Sequence, residues 1–412
     1  MKLFGLADGN NFYCSCERVF DPRLRGLPMI VLSNNDGCVV ARSEEAKALG
    51  IEMGVPVFQI QPLIRQHRVR VFSSNYTLYG DMSARMMQVL AECVPSAEVY
   101  SIDECFLDFT GMADAEDRAR AARAKVLQWT GLPICVGLAA TKTLAKAANK
   151  LAKKEPGGVL QITEENRAAW LARLPVEKVW GIGRQHAKRL AARGVTTALE
   201  LSETDTGWAR ATMGVTGERL VLELRGLSCV GIEEIAPKKK NICCAKGFGH
   251  PLTEFEDVAQ ALSCYTEIIA RKLRTEKQVA TVMQVFLMTN PHRPDEPQYH
   301  PQITVTLPEA TSYTPALSAT ANRLLRTIWR DGHRYRKVGV MLLELRDAVQ
   351  TELFTGTRNT AAKSRLQAAV DSLEGRVRWA AMGFEEEWKL RAQMRTQRFT
   401  TQWDELPVAN AA

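Results

Sequence analysis

The sequence has ten cysteines but no two spaced C-x-x-C; the nearest pairs are Cys14 with Cys16 and the adjacent Cys243 and Cys244. That pattern frames neither a metal cluster nor a disulfide scaffold, so the thiols read as small apolar side chains of a reduced protein. No stretch approaches the ~18 apolar residues that a membrane-spanning helix needs. The apolar run inside MKLFGLADGNNFY is too short for a secretory signal. Together these point to a cytoplasmic chain with no membrane partner. Low-complexity tracts and internal repeats are also missing, which excludes a repeat array.

What is present is ordinary for a globular chain: 46% hydrophobic and 24% charged residues, with 17 prolines. At 412 residues the chain is too long for one hydrophobic core, so several domains are expected. A formal net charge of +8 leans toward an acidic partner.

Periodicity divides the chain. KLFGLADGNNFY begins as a short apolar strand that stops at Asp8-Gly9, a turn signal. LPMIVLSN (27–34) reads as a second strand, and SEEAKALG (43–50) as a short helix with Ser43 as N-cap and Gly50 as its stop. An amphipathic helix is expected over 79–93, then strands AEVYSI and ECFLDF, a helix over 114–129, and a buried central strand in LPICVGLAA (132–140). This is an α+β sheet domain reaching about residue 165. Residues 167–232 form a string of short helices, and IAPKKKNICCAKGFG (235–249), with its Pro, Lys run and Gly, reads as an interdomain linker. A second α+β pattern follows over 250–346. Residues 347–412 are charged, helical in part, and weakly packed by composition.

Three carboxylates draw attention. Asp8 closes a strand, and Asp103 and Glu104 stand side by side where two strand-like segments meet, in YSIDECFLDF. Adjacent strand residues face opposite ways, but at a hairpin turn or bulge alternation breaks down and both can reach one site. Oxygen ligands without nearby His or Cys suit Mg²⁺, and two such ions would clamp the entering and leaving oxygens of a phosphoryl transfer. The plain alternative is a pair of solvated turns.

Phosphate handling has its own signals. In TKTLAKAANKLAKK (141–154), Lys142, Lys146 and Lys150 recur at i, i+4 and i+8, which lines one helical face with charge. No acid interrupts them, as suits a triphosphate or a nucleic-acid backbone. WGIGR (180–184) followed by QHAKRLAARG is the pattern of a helix-hairpin-helix. Its Gly181 and Gly183 would expose backbone N–H groups to a DNA phosphate, with Arg184, Lys188 and Arg189 adding sequence-independent contacts. Phe12 and Tyr13 follow Asp8 closely. A flat ring there, packed against C2′ of a bound nucleotide, would leave no room for a ribose hydroxyl. Core packing accounts for part of Phe12, and the role beneath the sugar falls to Tyr13.

Assembled, these residues resemble the Y-family translesion DNA polymerases, and among them the UmuC type, the catalytic subunit of bacterial DNA polymerase V. DGNNFYCSCE and YSIDECF resemble that family's two metal motifs; VLSNNDGCVVARSEEAKALG and FSSNYTLYGDMS resemble its fingers and the return to the palm; GHRYRKVGVML and RFTTQWDELPV resemble the end of its little finger and the UmuC-type tail. The resemblance implies a right-hand polymerase, α+β and multidomain. Its parts would be a palm over 1–165 with fingers inserted at about 22–75, a helix-hairpin-helix thumb over 166–234, the linker 235–249, a little finger over 250–346 and a C-terminal extension over 347–412. It implies error-prone, template-directed addition of deoxynucleotides to a primer 3′-hydroxyl in the SOS response to DNA damage. It places Asp8, Asp103 and Glu104 as ligands of two Mg²⁺ ions with the Gly9 carbonyl, Tyr13 as steric gate, and Arg42, Lys47 and Lys146 with Phe12 on the incoming nucleotide.

The same resemblance implies partners: primer–template DNA, deoxynucleoside triphosphates, a processed UmuD-like dimer, RecA and the sliding clamp. QTELF (350–354) is similar to the peptide with which bacterial polymerases grip that clamp, Leu353 and Phe354 entering an apolar pocket and Gln350 supplying polar contacts. Some positions depart from the family pattern: Cys14 and Cys105 stand where Ala is common, Gly9 replaces a larger apolar residue, and Glu44 replaces a phosphate-contacting Tyr. Two other readings compete. A non-catalytic DNA-binding regulator of the same fold would have no need of the acidic trio, yet the trio is complete. A nucleotide cyclase on a palm-like sheet would not need a DNA-gripping thumb.

Overall fold

Asp8 and Gly9 end a strand at the middle of a five-stranded sheet. The structure, a computed structural model, describes residues 2–233, 238–348, 360–373 and 392–406. Its chain divides into two units, Met1–Ala236 with Ala392–Ala412, and Pro237–Arg391.

In the first unit the strands β1 (Phe4–Gly9), β5 (Ala97–Val99), β6 (Glu104–Asp108), β7 (Ile134–Ala139) and β8 (Val159–Ile162) lie in the order β5-β6-β1-β7-β8. All pairs are antiparallel except β7 with β8. Alternation sorts the sheet's side chains between two cores. Ala7, Cys105, Leu107, Val136 and Leu138 join α4 (Tyr76–Ala91) and α5 (Ala115–Thr130) on one face. Phe4, Leu6, Phe106 and Ala139 join α6 (Lys142–Ala152) on the other. Helix α6 lies very close to the sheet at Gly137, where a Cβ would stand 2.0 Å from the Asn149 backbone nitrogen. The buried Asn149 side chain then donates to the carbonyls of Leu6 (3.0 Å) and Cys135 (2.7 Å), fixing the helix to two strands.

Between β1 and α4 the chain forms α1 (Phe12–Phe20) and a three-stranded sheet, β2 (Met29–Leu32), β3 (Val39–Arg42) and β4 (Arg70–Ser73), in the order β3-β2-β4. With α2 (Glu44–Ala48) and α3 (Gln61–Gln66) it buries a core of its own around Ile30, Leu32 and Ile51. As expected, Ser43 caps α2, accepting from the Ala46 N–H, and Gly50 follows with φ +78°. Helix α4 begins three residues earlier than the sequence pattern implies, because the Asn75 side chain accepts from the Leu78 N–H and caps it there. Short helices α7 (Arg167–Ala172), α8 (Arg184–Ala191) and α9 (Ala198–Glu203) precede α10 (Thr206–Leu224), which breaks at Gly214, φ +73°.

The second unit is a four-stranded antiparallel sheet, β11-β10-β12-β9, formed by β9 (Ile242–Leu252), β10 (Gln278–Met288), β11 (Gln302–Thr311) and β12 (Tyr335–Asp347). Helices α11 (Phe255–Thr275) and α12 (Thr314–Ile328) close its core. Two expectations are corrected here. The stretch 235–249 is not a linker throughout: residues 242–249 belong to β9, where Ile242, Cys244 and Phe248 turn into the core. An edge strand tolerates Gly247 and Gly249, two of the residues that made the segment read as a connector. Nor is the whole of 347–412 weakly packed. In α13 (Thr360–Ser372), Asp371 pairs with Arg274 (2.6 Å), and residues 392–406 pack into the first unit, with Phe399 stacked on Phe20 at 4.7 Å. Among the described residues no helix is long and apolar enough to cross a membrane.

Candidate active site

The antiparallel register of β1 and β6 sets Asp8 directly opposite Glu104. Strand alternation puts both on the face covered by α6, in line with Leu6 and Phe106. Asp103 lies in the turn that closes the β5–β6 hairpin, so the adjacent acids need not point to opposite faces of a strand. Ser101 shapes that turn: its hydroxyl donates to an Asp103 carboxylate oxygen (2.7 Å) and accepts from the N–H groups of Asp103 (3.3 Å) and Glu104 (3.1 Å). Gly9 N–H donates to the Asp103 carbonyl (2.8 Å), tying the two strand ends together. Burial pushes the Asp8 carboxyl up, opposed by the bond and charge of Lys153 and reinforced by the negative charges of Asp103 and Glu104. Burial is the larger cause, and the added repulsion from Asp103 and Glu104 is one that a bound cation would relieve.

Cations meet them. Lys146 Nζ lies 2.8 and 3.0 Å from the two Glu104 oxygens, and Lys153 Nζ lies 2.7 Å from Asp8. Among the described residues no three His, Cys, Asp or Glu side chains are drawn around a common point; Asp8 and Glu104 face ammonium groups and Asp103 the Ser101 hydroxyl instead. The donor set is nonetheless oxygen-only and mutually repelling, which fits a hard divalent ion. A cleft of about 230 Å³ runs alongside, lined by Asp8, Glu104 and four lysines, Lys146, Lys150, Lys153 and Lys178. Burial lowers the Lys150 ammonium, and the charges of Lys178 and Lys153 lower it further. Such crowded ammonium groups are relieved by a polyanion.

The lysine face needs one correction. Lys142 is buried, 2% exposed, and paired with Glu98, so it is withdrawn from the row that offers charge to a phosphate. Lys146 instead sits in an aromatic bay, its Nζ 4.4 Å from the Tyr100 ring centre and 5.2 Å from that of Trp180. The Trp180 indole N–H donates to the Tyr100 hydroxyl at 3.2 Å. Lys153, Lys178, Ser101 and Tyr100 were not among the sequence-derived candidates. Lys153 lies in the acid-free run that was, and Trp180 heads the WGIGR motif.

Tyr13 is half-buried at the start of α1, with its ring stacked on Tyr79 at 4.5 Å and 16°. Burial raises its phenol, and Tyr76 and Asp103 add to the rise, so the ring lies within electrostatic reach of Asp103. Phe12 turns the other way. It is 4% exposed in the core beneath α1, so its side chain is a packing residue. Arg42 ends β3 and donates to the Ile51 carbonyl, leaving its Nε without a partner. Lys47 pairs with Glu44 (2.6 Å), which also accepts from Asn11 (3.0 Å). Burial alone would raise the Glu44 carboxyl, but these bonds and the charges of Lys47 and Lys153 hold it below its usual range.

In the expected helix-hairpin-helix, Gly181 has φ +85° and Gly183 caps α8; both are exposed, as are Arg184 and Lys188. A Cβ at either glycine would meet nothing within 4 Å, so the turn is an open surface. Arg189 is partly engaged, donating to the Thr212 carbonyl (3.2 Å). Gln350, Leu353 and Phe354 lie outside the described residues.

Residues 7–150 match the impB/mucB/samB family, 239–353 match that family's C-terminal domain, and 364–409 match a domain of unknown function. The chain is 43% identical to Protein UmuC of Salmonella typhimurium over 98% of its own length and 99% of the relative's. It is 42% identical to Protein ImpB of the same organism, over 99% of both chains. With DNA polymerase IV of Moorella thermoacetica it shares 29% identity over 90% of this chain and 92% of that one. Among solved structures, a Y-family DNA polymerase chimera of Dbh and Dpo4 superimposes with a TM-score of 0.70 at 20% identity, covering 84% of this chain and 99% of the other.

Proposed function

The chain belongs to the impB/mucB/samB family and is a metal-dependent DNA-directed DNA polymerase of the Y family, a translesion enzyme, and from that premise we propose how its own residues carry the reaction. The carrying observation is the register that sets Asp8 opposite Glu104, with Asp103 in the adjoining turn, beside a cleft lined by four lysines. We assign the five-stranded sheet to the palm, the three-stranded insertion to the fingers, α7–α10 to the thumb and the second unit to the little finger, which then begins at β9.

Asp8, Asp103, Glu104 and the Gly9 carbonyl would hold two Mg²⁺ ions. When bound, such ions lower the pKa of a primer 3′-hydroxyl and neutralise charge on the transferring phosphoryl group. The protein's share is positioning and electrostatics. Lys146 and Lys153, which pair with Glu104 and Asp8, are placed to turn toward triphosphate oxygens, and Lys150 and Lys178 supply further charge in the same cleft. Arg42 and Lys47 approach from the fingers, Lys47 steered by Glu44. The Tyr13 ring would lie under the sugar and exclude a 2′-hydroxyl. Gly181, Gly183, Arg184 and Lys188 would track template backbone phosphates without reading sequence.

The physiological setting proposed is SOS mutagenesis, with a processed UmuD-like dimer, RecA and the sliding clamp as partners. The test is extension of an undamaged primer–template with Mg²⁺ and four deoxynucleotides, those partners supplied, for wild type beside Asp103→Ala/Glu104→Ala. Extension by wild type alone, with DNA binding retained by the variant, is the expected result. Equal DNA binding with extension by neither would favour the non-catalytic DNA-binding regulator.

A further inference from the structure

Three polar side chains of the first unit are almost wholly buried, Glu17 (2% exposed), Ser73 (1%) and Asn75 (1%), and all three find partners in residues 392–406. Ser73 N–H donates to the Met394 carbonyl (3.1 Å), and the Met394 N–H donates to the Ser73 hydroxyl (3.0 Å). The Asn75 carboxamide nitrogen lies within 3.1 Å of the Thr396 carbonyl and hydroxyl and 3.0 Å from the Gln397 carbonyl. The Thr396 hydroxyl donates to Glu17 Oε1 (3.1 Å). That same oxygen accepts from the Tyr79 hydroxyl (2.6 Å), and Tyr79 is the ring on which Tyr13 stacks at 4.5 Å. A buried carboxyl oxygen shared by two hydroxyls has few alternative arrangements. Phe20 and Phe399, stacked at 20°, close the contact from the side.

We propose that residues 392–406 form a clasp that helps select the sugar of the incoming nucleotide. Thr396 is a positioning residue: through Glu17 and Tyr79 it holds the Tyr13 ring in place. The clasp rests on the reading of Tyr13 as the ring beneath the sugar. If Thr396 loosens, Tyr79 loses one of two constraints on its partner oxygen, and the Tyr13 ring gains freedom to yield to a 2′-hydroxyl.

The test compares ribonucleotide with deoxynucleotide insertion by the full chain under the extension conditions above, for wild type, Thr396→Val, Thr396→Ser and, as the upper limit, Tyr13→Ala. Thr396→Val keeps shape and loses the hydroxyl. It should raise the ribonucleotide-to-deoxynucleotide ratio by about threefold to tenfold, the worth of one hydrogen bond, while deoxynucleotide insertion holds and Thr396→Ser restores the ratio. An unchanged ratio with normal extension overturns the clasp. So does a parallel fall for both nucleotides, which marks a purely structural contact. Hydrogen–deuterium exchange over residues 12–20 and 76–82 separates this inference from the polymerase reading. If wild type does not extend at all, that reading fails and the sugar selection falls with it; if wild type extends, faster exchange in Thr396→Val supports the hold on Tyr13 and unchanged exchange refutes it.

Discussion

Gly137→Ala is the sharpest single test of how the site is built. Its Cβ would stand 2.0 Å from the Asn149 nitrogen, 2.4 Å from the Ala145 carbonyl oxygen and 2.6 Å from the Asn149 Cα, whereas ordinary contact begins at 3.4 Å. These are backbone atoms and no rotamer relieves them, so α6 must retreat from β7 by about 1.4 Å at that point. The retreat also stretches both hydrogen bonds from the buried Asn149 carboxamide. Overpacking of this kind costs about 3 kcal/mol, which lowers Tm by ~6–12 °C for a unit of this size. The same helix carries Lys146, with Lys153 just past its end, so a shift near 1 Å at the reacting groups should cost roughly 10²-fold in extension rate. Thermal unfolding followed by circular dichroism, and primer extension well below the transition, measure the two effects. Gly80→Ala is the control: this glycine lies in α4 with nothing within 4 Å of an added Cβ, and alanine there should gain about 0.5–1 kcal/mol. If Gly137→Ala melts like wild type and extends primers at full rate, the close approach of α6 does not govern the site.

Two further outcomes are expected. Arg184→Ala/Lys188→Ala should weaken DNA binding alike on all sequences and flatten the dependence of log K on log salt by about one unit for each phosphate no longer neutralised; a fluorescence-anisotropy titration at several salt concentrations that leaves the slope unchanged removes these residues from the DNA surface. Burial pushes the Glu17 carboxyl above its usual 4.5 despite the bonds from Tyr79 and Thr396. The native state therefore keeps a proton that the unfolded chain releases, and stability falls as pH rises from about 4.5 until the raised native pKa is passed. The neighbouring Tyr79 hydroxyl and Cys16 thiol are themselves pushed upward by burial and stay neutral across that window. Glu17→Gln has no proton to lose, so its Tm should gain on wild type over that window and hold the gain above it; parallel Tm profiles would refute the assignment.

Much of this was legible in the sequence because punctuation marks strand ends. Asp8 before Gly9, and Asp103-Glu104 at a hairpin turn, can be located without knowing the fold, and the β1–β6 register then brings them together. The lysine face was legible only as a face. Whether a given lysine meets solvent, a carboxylate or an aromatic bay depends on the docking of α6: Lys142 is buried against Glu98, while Lys153 meets Asp8. β9 was misread because its glycines and the lysines before it are those of a connector, and its inward residues become decisive only once β12 is beside it. The Glu17–Thr396 contact spans 379 positions, and neither residue carries a local pattern that would announce it.

That span has a consequence for how the protein is made. Glu17, Ser73 and Asn75 leave the ribosome early, but their partners follow only after all of Pro237–Arg391 has been translated, a delay of some tens of seconds at about 5–20 residues per second. Through that interval these groups are left to water and to local partners such as Tyr79 and the Leu78 N–H. The first unit is completed by residues made after the whole of Pro237–Arg391, so a chain cut short before residue 392 would lack that unit's closing contact.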